Sequence, residues 1–185
     1  MWFATSNVHK FEEARFVLAE FGLAPSRLEG KGAELQSDDV TAIAANAASE
    51  SFSKYRRPIF VEDTGLLVNC LNGFPGTYAS FVHRTIGLAG VLELLSSSKD
   101  RSAEFVSAVA YAESTARPRV FVGRLLGRIA RDTRGSNGFG FDPIFVPEDS
   151  VLSLAEMSLD AKCAVSHRAR ALRAMGDWLI SRRRG

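Results

Sequence analysis

Cysteine is scarce in this chain: only Cys70 and Cys163 occur, and they form no CxxC pair. That argues against a structural zinc site or a disulfide framework and points to a reducing, cytoplasmic setting. Long apolar runs are missing too, none approaching about 18 residues, and Met1 leads straight into the strand-like Trp2-Phe3-Ala4. The expectation is a chain with no signal peptide and no membrane span. No HExxH pair offers a helical metal site, and charge of neither sign is in marked excess. Lys and Arg number 23 against 21 Asp and Glu, a net +2. A dedicated nucleic-acid binder concentrates far more basic charge on one surface, so no stable nucleic-acid partner is expected. The Arg182–Arg184 tail reads as a solvated end.

What is present is ordinary for a globular protein: 46% hydrophobic and 24% charged residues in a length of 185. One domain, residues 1–185, with two lobes fits that length. Thirteen Phe against two Trp and three Tyr imply an aromatic core and a candidate surface for stacking a base.

The chain is organised around Ile59–Tyr78. Ile59-Phe60-Val61 reads as the end of a buried strand, followed by the adjacent acids Glu62 and Asp63 and then Thr64-Gly65. Neighbouring strand residues face opposite ways, so the two acids are expected to serve different ends. Acids at the carboxyl end of a strand in an α/β fold mark a candidate metal or phosphate site; a solvated acidic turn is the plain alternative. Asn72-Gly73-Phe74-Pro75-Gly76 closes the stretch as a turn.

Upstream, Trp2–Thr5 reads as a strand, and Ser6-Asn7 cap a helix whose Phe11, Ala14, Leu18 and Phe21 recur at helical spacing until Gly22. A strand, a polar turn and a helix N-terminus form a ready anion site. Lys10 in the first helical turn opposes the helix dipole, so it calls for an anion nearby. Residues 23–33 read as irregular. A second helix spans about Val40–Lys54, capped by Ser37 or Asp38, and Glu34 before it has no capping role. A helix follows over Thr85–Leu95. Strands are expected over Glu104–Tyr111, Arg117–Val122 and Leu125–Ala130. A glycine-rich loop runs from Gly135 to Gly140, and a terminal helix covers Ser166–Arg182.

Seven short motifs now stand in fixed order: ATSNVHKFEE at 4–13, Glu34 with Gln36, VEDTGL at 61–66, LNGFPGTY at 71–78, GFGFDPIFVP at 138–147, AEM at 155–157 and KCAVSHRARA at 162–171. The pattern resembles the inosine/xanthosine triphosphate pyrophosphatase family over Ala4–Ala171. The resemblance implies a two-lobed α/β fold around a long mixed sheet with flanking helices and a central cleft. It also implies a homodimer and Mg2+-dependent cleavage of noncanonical purine nucleoside triphosphates (ITP, dITP, XTP) to the monophosphate and pyrophosphate. Carried over by position, Thr5, Ser6, Asn7, Lys10 and Lys162 would hold phosphate. Glu34, Asp63 and Glu62 would serve the metal, with Asp63 activating water. Phe139, Gly140, Phe141 and Asp142 would receive the base, Phe139 by stacking, together with Ser166, His167 and Arg168.

The residue types suit that chemistry. Magnesium prefers a few carboxylates plus water and substrate phosphates, a water nucleophile needs a carboxylate within reach, and an aromatic face stacks a base. Two departures stand out. Asn46 occupies the position where the family commonly has a lysine in the second helix, with Lys54, Lys31 and Arg84 as candidate substitutes. Ser80 replaces a cation two residues past Tyr78. A haloacid-dehalogenase-like phosphatase needs two aspartates separated by one residue, and here the acids are adjacent. A pyrophosphatase for modified pyrimidines shares the architecture. A non-catalytic nucleotide-binding protein has no need of acids beside phosphates.

Overall fold

The computed structural model describes residues 1–30 and 35–184. Its frame is one mixed seven-stranded sheet with helices packed against it. The strands are β1 (Trp2–Ala4), β2 (Ser26–Leu28), β3 (Ile59–Val68), β4 (Pro75–Gly76), β5 (Ser102–Ala112), β6 (Arg119–Ile129) and β7 (Phe145–Pro147). Their order is β2-β1-β3-β5-β6-β7, with β4 paired to β3 off that path. β1 runs parallel to β2 and β3, whereas β3, β5, β6 and β7 pair antiparallel. The helices are α1 (Val8–Ala19), α2 (Val40–Tyr55), α3 (Ala79–Thr85), α4 (Gly87–Leu94), α5 (Leu159–Val165) and α6 (His167–Arg184).

Strand alternation sorts the long strands into faces. At one end of the sheet, Phe3, Phe60, Val109 and Phe121 pack against α1 and α6 through Val17, Leu18, Leu172 and Met175. On the opposite face, Ala4, Ile59, Val61, Ala108 and Ala110 pack against Ala44, Ala47 and Ala48 of α2. The other end of the same strands, Leu66, Val68, Phe105, Leu125 and Ile129, joins Val82, Val91 and Leu95 from α3 and α4 in a separate core. The two lobes therefore share β3, β5 and β6. Glu62, Asp63 and Thr64 lie on β3 where one core gives way to the other.

Several expected elements change. The strand opened by Ile59 does not end at the acids but continues to Val68, which puts Glu62 and Asp63 mid-strand. Gly65, read as a turn signal, makes room instead: a Cβ there would sit 3.3 Å from the Gly76 carbonyl oxygen of β4. The two strands expected on either side of Gly123 are one, β6. A Cβ at Gly123 would lie 2.0 Å from the His167 carbonyl oxygen, so this glycine lets α6 press onto the sheet. The helix expected over Thr85–Leu95 is α4, which starts at Gly87 with a positive φ of 64°, and an unexpected helix, α3, precedes it and ends at Thr85. Residues 23–33 hold the short strand β2. The cap of α2 is Asp39 rather than Ser37 or Asp38, with its Oδ1 accepting from the Thr41 N–H at 2.8 Å. No helix among the described residues is long and apolar enough to cross a membrane.

Candidate active site

A cavity of about 850 Å³ opens between the lobes. One wall is the β1–α1 junction. Asn7 caps α1, its Oδ1 accepting from the Lys10 N–H at 3.1 Å, and Thr5 Oγ1 accepts from the Asn7 N–H at 3.1 Å. Capping and ligand binding are compatible here: Thr5, Ser6, Asn7 and Lys10 all line the cavity. The anion that Lys10 requires is Glu62, whose Oε2 lies 2.7 Å from Nζ.

Glu62 is buried and fully engaged. Its Oε1 accepts from Thr64 Oγ1 at 2.5 Å, Ser107 Oγ at 2.7 Å and Arg168 Nε at 3.1 Å. Burial pushes this carboxyl up, but Arg168 and Lys10 together outweigh it and hold it well below the usual carboxylate range. Glu62 thus anchors the cationic side chains, its Oε2 meeting Lys10 as an ion pair but making no hydrogen bond among the described residues. Its half-buried neighbour Asp63 also lines the cavity. Glu34 lies outside the described residues. Among the described residues no cluster of three or more His, Cys, Asp or Glu side chains is arranged to hold a metal ion. Glu62 and Asp63 are the carboxylates of this wall, the donor type a hard cation favours.

Behind Glu62 lies a chain of buried ion pairs. Arg168 donates from Nη1 to Glu13 Oε2 at 2.6 Å and from Nη2 to Thr64 Oγ1 at 3.1 Å. Lys162 Nζ stands 2.7 Å from Glu13 Oε1 and 2.5 Å from Asp142 Oδ2. Burial disfavours charge on Arg168, yet Glu62 and Glu13 reverse this and raise its pKa. Burial likewise pushes Glu13 up, and Arg168 and Lys162 win, leaving it lowered. At Asp142 burial prevails over Lys162 and the carboxyl is raised.

That chain fixes Phe139. Asp142 Oδ2 accepts from the Phe139 N–H at 2.8 Å. Gly138, at φ +72°, leaves space for this carboxylate, since a Cβ would lie 2.2 Å from Oδ2. The Lys162 ammonium and the Arg168 guanidinium lie 4.8 and 5.2 Å from the Phe139 ring centroid. His9, exposed on α1, stacks on the same ring at 5.4 Å and 13°. Phe141 is buried and takes His83 edge-on at 5.4 Å. His167 is 2% exposed, stacks on Phe105 at 4.5 Å and leaves both ring nitrogens without a hydrogen bond among the described residues. Burial, then Arg168, drives its pKa well below the ordinary histidine value, so it is neutral.

Of the sequence-derived candidates, Thr5, Ser6, Asn7, Lys10, Glu62, Asp63, Phe139, Gly140, Phe141, Asp142, His167 and Arg168 all line one cavity. Lys162 and Ser166 do not. Lys162 lies behind the wall in its ion pairs, and Ser166 sits at the start of α6, its Oγ accepting from the Ala169 N–H at 3.2 Å. Sequence reading missed Glu13, Thr64 and Ser107. Glu13 carried a signal: it falls three residues after Lys10 in the helical stripe that buries Ala14 and Val17, where an unpaired acid would be costly.

Known proteins similar to this chain share its sequence pattern and its fold. A dITP/XTP pyrophosphatase of Methanopyrus kandleri is 44% identical over 176 residues, 95% of this chain and 94% of its own. One from Pyrobaculum aerophilum is 45% identical over 179 residues, covering 97% and 95%. A HAM1 protein of Coxiella burnetii superposes with a TM-score of 0.84 at 27% identity, over 98% of this chain and 99% of that one. A Ham1 protein of Staphylococcus aureus, at 23% identity, shares the fold with a TM-score of 0.79 over 98% of this chain and all of its own. The Ham1 family model matches residues 1–178, and the chain belongs to the Ham1 family.

Proposed function

We propose that this protein hydrolyses noncanonical purine nucleoside triphosphates, ITP, dITP and XTP, to the monophosphate and pyrophosphate, and so cleanses the nucleotide pool. The observation that carries the reading is that one cavity joins a capped helix start, a carboxylate on a shared strand and an aromatic ring backed by two cations. These are the parts needed for phosphate, attacking water and base. The names of the relatives, similar over nearly their whole length, support the same substrate class.

In this reading Thr5, Ser6, Asn7 and Lys10 hold the phosphates through hydroxyl, amide and ammonium donors. Asp63 accepts the proton of the attacking water. Asp63 and Glu34 hold Mg2+; when bound, that ion supplies charge neutralisation at the phosphates and a lowered pKa for bound water. Phe139 stacks on the base. Arg168, a donor without an acceptor, keeps N–H groups beyond the three engaged by Glu62, Glu13 and Thr64. It can therefore meet a 6-keto oxygen but not the 6-amino group of adenine. We further propose that the protein acts as a homodimer in the cytoplasm; Phe81, Ile86 and Leu94, apolar and exposed, are consistent with a covered face.

The test is a substrate panel with product identification. ITP, dITP and XTP should be cleaved far faster than ATP, GTP, CTP or UTP. A site built to hydrogen-bond one pattern discriminates by up to about 10⁴-fold. The released ion should be pyrophosphate, visible as phosphate only after an inorganic pyrophosphatase is added. Direct release of orthophosphate, or equal rates on ATP and ITP, overturns the reading.

A further inference from the structure

The charge balance of the cavity poses a problem for any polyphosphate. Lys10 is neutralised by Glu62 at 2.7 Å. Arg168 is neutralised by Glu13 and Glu62 at 2.6 and 3.1 Å. His167 is buried and neutral. Asp142 is matched by Lys162 at 2.5 Å, and Asp63 adds an acidic group to the wall. A triphosphate entering this cavity meets cations whose charge is already spent.

Arg84 is the exception. It lines the cavity from the last turn of α3, is exposed, and makes no ion pair or hydrogen bond among the described residues. A guanidinium presents a planar fork of donors suited to phosphate oxygens. The other candidate substitutes do not compete within the described structure. Lys54 lies over the Tyr55 ring at 5.1 Å and is not in the wall, and Lys31 lies outside the described residues. Asn46 is turned to Glu50 of its own helix at 3.4 Å and does not line the cavity.

Resting on the pyrophosphatase reading above, we infer that Arg84 is a specificity-determining cation that binds the pyrophosphate portion of the nucleotide, from the α3 wall rather than from α2. Lys10 and Asn7 sit at the other wall, on the β1–α1 junction. A phosphate chain held from both lobes is braced along its length, which orients the bond to be cleaved. Among the described residues Arg84 holds no other element in place, so removing it should leave the fold intact.

The test compares wild type, Arg84→Gln and Arg84→Lys in binding the non-hydrolysable α,β-imido analogue of ITP, in binding IMP, and in steady-state turnover of ITP. Loss of one charge-assisted contact predicts that Arg84→Gln weakens the analogue about 10- to 100-fold. KM for ITP should rise in parallel. IMP affinity should stay within about 2-fold, because IMP lacks the phosphates Arg84 meets, and Arg84→Lys should recover part of the loss. Melting temperature should not move. Unchanged analogue binding in Arg84→Gln, or an equal loss on IMP, overturns the inference. If wild type fails to release pyrophosphate from ITP, the pyrophosphatase reading falls instead, and the analogue titration still decides the role of Arg84.

Discussion

His167 makes folding stability sensitive to mild acid, in a direction the structure fixes. The ring is 2% exposed, lies flat on Phe105, and has no hydrogen bond to either nitrogen among the described residues. Burial disfavours its protonated form first, and Arg168, Lys162 and Lys10 add to that; Glu62 opposes them without prevailing. In the unfolded chain the same ring titrates near 6.5. Below that pH the unfolded state binds a proton that the folded state refuses. The stabilising contribution is therefore complete above pH ~6.5 and is lost as pH falls, by about 1.4 kcal/mol per unit. Between pH 6.5 and 5 the ceiling, set by a folded ring that takes up no proton, is about 2 kcal/mol, or roughly 4–8 °C in Tm for a protein of this size. The depressed carboxylates Glu13 and Glu62 do not contribute in that window, since their loss begins below their unfolded values near 4.3. Asp142, raised by burial, takes up its proton earlier when folded and works in the opposite sense. The assay is therefore a difference: Tm against pH for wild type, for His167→Phe, which keeps a flat ring on Phe105, and for His167→Gln as a control on shape. The wild-type curve should fall relative to both variants between pH 6.5 and 5. Parallel curves would refute the argument.

Two further substitutions separate chemistry from architecture. Asp63→Asn should lower kcat by about 10²–10⁴-fold with KM for ITP little changed, measured by coupled pyrophosphate release; a near-wild-type kcat removes Asp63 as the base. Glu62→Gln leaves Arg168 and Lys10 beside a neutral amide and should cost about 3–5 kcal/mol of stability. Urea unfolding measures it, and a change below about 1 kcal/mol would show that the buried pairs contribute little.

Most of the cavity was legible because its residues come in short contiguous runs: the β1–α1 junction, the β3 acids, the Gly138–Asp142 loop and the start of α6. Two of the misreadings share one physical cause. Gly65 and Gly123 look like breaks in sequence, yet each is a place inside a continuous strand where another backbone comes close. Local pattern cannot tell a glycine that turns the chain from one that admits a neighbour. Lys162, expected at phosphate from the family resemblance, pairs with Glu13 and Asp142, which are supplied by α1 and by the loop after β6. Long-range pairing of charges leaves little trace in spacing.

Why the site retains six ionisable groups at its base follows from comparing stability with orientation. Glu13, Glu62, Asp142, Lys162 and Arg168 are buried, and Lys10 closes the set at the cavity edge. Desolvating such groups costs several kcal/mol each, and well-packed apolar side chains of equal volume often do as well or better for stability. Apolar packing is non-directional, however, and would leave the Phe139 ring and the Arg168 fork free to turn. The ion pairs remove that freedom. Asp142 fixes the Phe139 backbone N–H, Lys162 ties Asp142 to Glu13, and Glu13 and Glu62 hold Arg168 from two sides. A purine entering the cavity then meets a ring and a donor fork already in position, so less ordering is left to be done on binding. The cluster is better understood as the rigid frame of base selection than as a source of folding stability.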